Sequence, residues 1–306
     1  MVKSINFVVL GEQTIASDFG KKGTATDLTL YDKKESDVIR TWVAPNGFPD
    51  KIQPLFQAIN LAEYPIIYLG SLDKFAGEQM VALDVLQKKE GILSHTYEVD
   101  ESRLNTMIKG TVLEQYRKVE SQKIKEEILK FQPMQKDGKT KVVIDHCFDV
   151  KGVGTVILGK VVSGKIKQYD NLKLLPAGLD IMVKSIQMHD EPVEEATSPA
   201  RVGLSIKGAK PEEISRGDIL SEDESIPVKS EIELDFKKNP FYKGDVSENQ
   251  MCMANIGLQI KAAKFSSVNP LRLTFEKPTV CDKSDTCVIL KPESTSIRIL
   301  GSGTVI

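Results

Sequence analysis

The sequence predicts an α/β domain followed by two all-β domains. Three observations carry this. At 306 residues the chain exceeds a single ordinary core, since domains run about 100–150 residues. Apolar residues alternate between strand and helix spacing over the first third, and from residue 141 onward keep to short runs of period two. An acidic stretch, Ser221-Glu222-Asp223-Glu224-Ser225 closed by Pro227, divides that β region. The expected domains are 1–132, 133–223 and 224–306.

In the first domain, Ile5 to Leu10 is a run apolar but for Asn6 and closed by Gly11, as in a strand buried on both faces. Val38 to Val43 is a second candidate strand, followed by the turn-rich Ala44-Pro45-Asn46-Gly47. Residues 50–62 place Ile52, Leu55, Phe56 and Ile59 on one helical face. Ile66 to Leu69 reads as a strand, Met80 to Leu86 as a helix and His95 to Val99 as a further strand. This order predicts a mainly parallel sheet with crossover helices. Residues 102–131 carry the longest helical pattern, with Ser102 as its cap, a charged later part expected to leave the domain as a partly exposed helix, and Gln132-Pro133 as its stop.

The later strands alternate cleanly. Val202, Leu204 and Ile206, then Ile232, Leu234 and Phe236, then Leu271, Leu273 and Phe275 stand on one face each, and Ile297 and Ile299 flank Arg298. Short strands at this spacing predict antiparallel barrels or sandwiches.

The composition is that of a soluble globular protein, 41% hydrophobic and 27% charged, with net charge −2. Residues 133–220 hold 13 Lys/Arg against 12 Asp/Glu, so a global pull on nucleic acid is not expected and any RNA contact is local. DNA is not an expected partner. No apolar run approaches the roughly 20 residues of a membrane span, and the N-terminal run, interrupted by Asn6, reads as a strand and not a signal peptide. Four cysteines, Cys147, Cys252, Cys281 and Cys287, none in a CxxC pair, suit a reducing compartment, so a cytoplasmic location is expected. His146 and Cys147 are neighbours in an alternating strand and point to opposite faces, so no metal site is expected from them.

The segment 151–220 is the most specific. It opens Lys-Gly-Val-Gly-Thr-Val-Ile-Leu-Gly-Lys-Val-Val-Ser-Gly-Lys-Ile, passes Ser185-Ile186-Gln187-Met188-His189 and Arg201-Val202-Gly203-Leu204, and ends Lys210-Pro211-Glu212-Glu213-Ile214-Ser215-Arg216-Gly217-Asp218-Ile219-Leu220. Gly152 and Gly154 suit a tight strand entry, Gly159 and Gly164 barrel corners, and Gly217 a hairpin turn. In order and spacing these pieces resemble the second domain of elongation factor Tu and its relatives in the translational GTPase superfamily, the selenocysteine-specific elongation factor among them. Leu273-Thr274-Phe275-Glu276-Lys277-Pro278 and the closing Ile299 to Ile306 resemble that family's other barrel.

The resemblance makes the first domain a P-loop GTPase-like domain, and against the family's motifs it is degenerate. A phosphate loop needs backbone amides around the phosphates, a lysine on them and a hydroxyl on Mg²⁺. The strand and Gly11 are present, but Ala16-Ser17-Asp18 stands where the family has Gly-Lys-Thr, and Glu12 and Asp18 bring negative charge. The helix that should follow is missing. Lys22-Gly23-Thr24-Ala25-Thr26-Asp27 resembles the first switch, with Ala25 at the magnesium-binding threonine, or Thr24 or Thr26 after a one-residue shift. In Ala44 to Asp50 the metal-linked Asp is Ala44 and the catalytic His is Phe48, while Gly47 and Asp50 remain. The guanine-reading motif falls on Tyr97-Glu98-Val99-Asp100 and keeps only Asp100. No GxxxxGK[ST] occurs anywhere. Degenerate nucleotide positions are therefore Gly11, Gly47, Asp50 and Asp100; no catalytic residue is expected, and binding of GTP and Mg²⁺ is expected lost.

His95, His146 and His189 read as structural or surface residues, Cys281 and Cys287 as free thiols flanking a turn, and Lys21-Lys22 as a solvated pair. Lys237, Lys238, Phe241, Tyr242 and Lys243 mix cations with aromatic rings as single-stranded RNA binding would require. The resemblance implies an elongation-factor-like protein that binds tRNA, the ribosome or a translation-factor protein. An active GTPase with divergent loops and a protein scaffold without RNA stand as alternatives.

Overall fold

The computed structural model describes residues 2–306, the side chain of Thr24 excepted. The first domain is built from strands β1 (Lys3–Gly11), β2 (Lys21–Ala25), β3 (Thr29–Glu35), β4 (Val38–Ala44), β5 (Tyr64–Leu69), β6 (Ile92–His95) and β7 (Arg117–Lys118). Its helices are α1 (Gln53–Leu61), α2 (Lys74–Val85), α3 (Glu101–Ile108) and α4 (Ile124–Ile128). They form one seven-stranded sheet in the order β2-β3-β4-β1-β5-β6-β7. From β4 to β7 it is parallel, as the alternation of strand and helix predicts. The apolar run of β1 lies at its centre, buried on both faces between β4 and β5.

Several readings are corrected, and one element was not foreseen. The antiparallel strands β2 and β3 leave no mark in the sequence pattern, because they form a solvated edge hairpin with few buried side chains. Lys21 and Lys22 lie on its outer strand, where lysines blunt an open sheet edge. Helix α2 starts at Lys74, with the Asp73 carboxylate accepting from the Ala76 N–H at 2.8 Å. Strand β6 ends at His95, where a strand was expected to begin. The long helix over 102–131 is broken: α3 is capped by Asp100 and not Ser102, and Gly110 at φ +76° ends it. Arg117 and Lys118 then pair with β6. Nor is the charged end exposed throughout: Ile124, Ile128 and Phe131 are buried against Phe7 and Tyr64, and Arg117 stacks 4.2 Å above the Phe131 ring.

The rest of the chain is two closed six-stranded barrels. In the middle one, β8 (Lys141–Val150) and β9 (Gly154–Ser163) pair, and strands Arg201–Lys207, Leu179–Met188, Asn171–Leu175 and Ile219–Ser221 complete the ring. The last barrel runs Val228–Lys238, Leu271–Val280, Gln259–Val268, Met251–Ile256, Thr286–Leu290 and Ile299–Val305 around its circumference. Each has its own alternating apolar core. Gly217 does not turn a hairpin. At φ +95° it lets the middle barrel approach the last one so closely that a Cβ would sit 2.7 Å from the Gln259 backbone.

The core of the α/β domain does not stop at its boundary. The cluster beneath α1 and α2 continues into Val143 of the middle barrel and into Leu258, Val288, Leu290 and Ile299 of the last one. No helix among the described residues is long and apolar enough to cross a membrane.

Candidate nucleotide loop and interdomain contacts

Strand β1 delivers the chain to Gly11, where the first two loop amides turn inward while Glu12, Thr14, Ser17 and Asp18 stay exposed. The Gly11 N–H donates to the Gln79 side-chain oxygen at 2.6 Å, and the Glu12 N–H to the Tyr68 carbonyl at 2.7 Å. Residues Gln13–Asp18 form a single short 3₁₀ helix, where the family's loop would open a full α-helix. The Phe19 N–H closes onto the Ala16 carbonyl at 3.2 Å and the Ser17 hydroxyl onto the Thr14 carbonyl at 2.8 Å. Ala16 is buried against Phe7 and Trp42. The Glu12 carboxylate lies against Gly70, where a Cβ would come within 2.3 Å of it.

The other degenerate positions stand at the same edge of the sheet, beyond the carboxyl ends of the strands. Gly47 follows β4 and its N–H donates to the Asp27 carbonyl at 2.9 Å. Thr26 also turns onto this loop, its hydroxyl donating to the Asp27 carboxylate at 3.0 Å, while Ala25 is exposed. Thr24 lies outside the described side chains. Phe48, at the catalytic-His position, is buried edge-on to Phe75, with the Arg298 guanidinium 5.5 Å from its ring. Asp50 is exposed, and Asp100 accepts from the Arg103 N–H as the α3 cap. A cleft of about 820 Å³ opens past β5, β6 and β7, lined by Tyr68, His95, Tyr97, Glu101, Asn105 and Lys118.

Among the described residues three Lys or Arg side chains of the barrels reach into the first domain, and sequence reasoning assigned none of them a role. Buried Lys160 on β9 meets half-buried Glu63 at 2.7 Å and donates to the Leu61 carbonyl at the end of α1. Glu63 also accepts from the Asn6 backbone and side chain. Arg298 of the last barrel forks onto Glu78 of α2, the closest contact 2.6 Å, with Glu78 fully buried, and donates to the Pro49 carbonyl at 2.8 Å. Arg216 donates to both carboxylate oxygens of Asp27 at 2.8 and 2.9 Å, to Gln57 of α1 at 2.9 Å and to the Asp145 carbonyl at 3.0 Å. Burial works to raise the Asp27 carboxyl, yet the Arg216 hydrogen bonds and charge outweigh it and hold the carboxyl below its ordinary range. The available signal was chemical: an arginine between two strand isoleucines, and an acid and a lysine at buried positions, ask for partners.

In the last barrel, Lys237 and Lys238 end the first strand and Phe241 is exposed. Tyr242 is buried in the barrel core, with the Lys238 ammonium 5.8 Å from its ring centre, so it offers no free face. Lys243 is exposed beside it.

Residues 154–221 match the family description elongation factor Tu domain 2. Over 295 residues the chain is 36% identical to the uncharacterized protein MJ0325 of Methanocaldococcus jannaschii, covering 94% of this chain and 95% of that one. It is 33% identical over 191 residues to the selenocysteine-specific elongation factor of the same organism, covering 54% of this chain but only 41% of that relative's length. Among solved structures, translation elongation factor SelB from Methanococcus maripaludis with the GTP analogue GppNHp superimposes with a TM-score of 0.83 at 21% identity, covering 99% of this chain and 79% of that one. Its apo form gives 0.81. With an α/β domain, two closed barrels, the Tu-type second domain and this whole-chain likeness, the protein belongs to the translational GTPase superfamily.

Proposed function

We propose that this protein is an elongation-factor-like binding protein that works without GTP hydrolysis, with tRNA, the ribosome or a translation factor as its partner. The loop after β1 carries the reading. A magnesium triphosphate needs outward-facing amides, a lysine and a hydroxyl. Here the Gly11 and Glu12 amides donate to Gln79 and Tyr68, the lysine position holds Ser17, and Glu12 and Asp18 oppose an anion. Phe48 has no proton to exchange with an attacking water. The residues present do not fit the nucleotide.

Lys237, Lys238, Phe241 and Lys243 are the exposed members of the aromatic and cationic segment, and RNA contact is assigned to them. A second reading, a small ligand held without hydrolysis, is favoured by the cleft beyond β5–β7, since open α/β sheets take ligands at the carboxyl ends of their strands.

Purified protein given Mg²⁺ and GTP is expected to show no turnover above buffer. Turnover that disappears on substitution of Ser17 or Asp18 would place a working site in this loop and overturn the reading.

A further inference from the structure

We propose that Arg216 is a built-in latch, which holds the two switch-like segments of the α/β domain against the middle barrel in place of a bound ligand. The inference rests on the reading that no nucleotide orders those segments.

The first segment is the turn between β2 and β3, residues 26–28, and the second is the loop from Ala44 to Asp50. They touch directly: the Gly47 N–H donates to the Asp27 carbonyl at 2.9 Å, and the Asn46 amide donates to the Thr29 hydroxyl. Within the first, the Thr26 N–H donates to the Leu28 carbonyl at 2.8 Å. Leu28, Ala44 and Phe48 anchor the ends of these segments in the core, but the turns between them, Thr26-Asp27 and Asn46-Gly47, are exposed or half-buried and polar, so ordering them takes a specific contact.

Arg216 supplies that contact from outside. Its guanidinium grips the Asp27 carboxylate bidentately and bonds Gln57, so one planar group ties the first segment to α1. Its Nε–H on the Asp145 carbonyl anchors the same group to β8. Gly217 beside it packs on the last barrel, and its N–H donates to the Ile144 carbonyl at 2.8 Å, which fixes the backbone that carries the arginine. The geometry is suited to a fork and not to a lysine. The latch therefore predicts that order in the two segments depends on the Arg216–Asp27 pair and is indifferent to guanine nucleotide.

Amide hydrogen exchange tests this on the full-length protein. In wild type the Thr26 and Gly47 amides should be protected, equally with and without Mg²⁺ and GTP. In Arg216→Met both should exchange at least about tenfold faster, while the Val161 amide inside the middle barrel keeps its protection. Asp27→Asn, a partly exposed site that leaves the barrel intact, should reproduce the loss, and Arg216→Lys should fall between. Unchanged exchange at Thr26 and Gly47 in both Arg216→Met and Asp27→Asn would overturn the latch. Protection raised by GTP in wild type would instead overturn the nucleotide-free reading on which it rests.

Discussion

Replacing Arg298 with alanine is expected to cost the folded protein about 3–5 kcal/mol, the loss typical of breaking a buried ion pair by removing one partner. Glu78 is fully buried and receives hydrogen bonds from the Arg298 backbone and guanidinium. Without the guanidinium its carboxylate is left buried with a single backbone donor, the Pro49 carbonyl loses its partner, and the Phe48 ring loses the cation above it. Glu78→Ala should be nearly as damaging, for the mirror-image reason. The double variant Glu78→Leu with Arg298→Met should be milder than either single change, because removing both charges removes the desolvation cost with the attraction. Urea unfolding followed by far-ultraviolet circular dichroism and the single tryptophan, Trp42, reads all four proteins. A loss under about 1 kcal/mol for both single variants would mean that this contact does not hold the last barrel to α2.

Gly11→Ala is expected to destabilise by about 2–5 kcal/mol, combining a left-handed backbone with an overpacked site. Gly11 has φ +75°, and a Cβ there would sit 1.9 Å from the Tyr68 carbonyl oxygen, which is backbone and cannot swing away. Gly110→Ala is the control: its φ is +76° with nothing within 4 Å, so it isolates the conformational part, about 1–2 kcal/mol. The excess at Gly11 measures the collision with β5. It would establish that this glycine is needed for strand-to-strand approach, whereas a phosphate-loop glycine serves the approach of a ligand. Equal losses at the two sites would remove that argument.

The architecture was legible because its signals are periodic. The run Ile5 to Leu10 reads as a strand buried on both faces, and the alternation in 202–206 and 271–275 as strands with one face on a β core; the structure places them at the centre of the sheet and in the two barrels. Failures came where period gives way to tertiary pairing. The segment 102–131 has helical spacing throughout, yet Gly110 breaks it and Arg117-Lys118 is drawn onto the sheet edge. The hairpin β2–β3 has one solvated face and few buried residues, so it leaves little pattern to read. The candidate loop was legible in its losses, since a missing lysine is visible in one dimension. Its replacements were not. That Gln79 takes the Gly11 amide, or that Arg216 finds Asp27 across 189 positions, is a fact of packing that no local spacing carries.

We propose that the protein's own side chains, and not a guanine nucleotide, set the arrangement of its three domains. A ligand shifts an equilibrium only through its differential affinity for the two states, and under the proposed function guanine nucleotide has too little affinity for the loop to supply any. Small-angle X-ray scattering of the purified protein, alone and with GTP or GDP in the presence of Mg²⁺, tests this most directly. Superimposable curves with one radius of gyration are expected; a nucleotide-dependent change in that radius would mean that guanine nucleotide does set the domain arrangement.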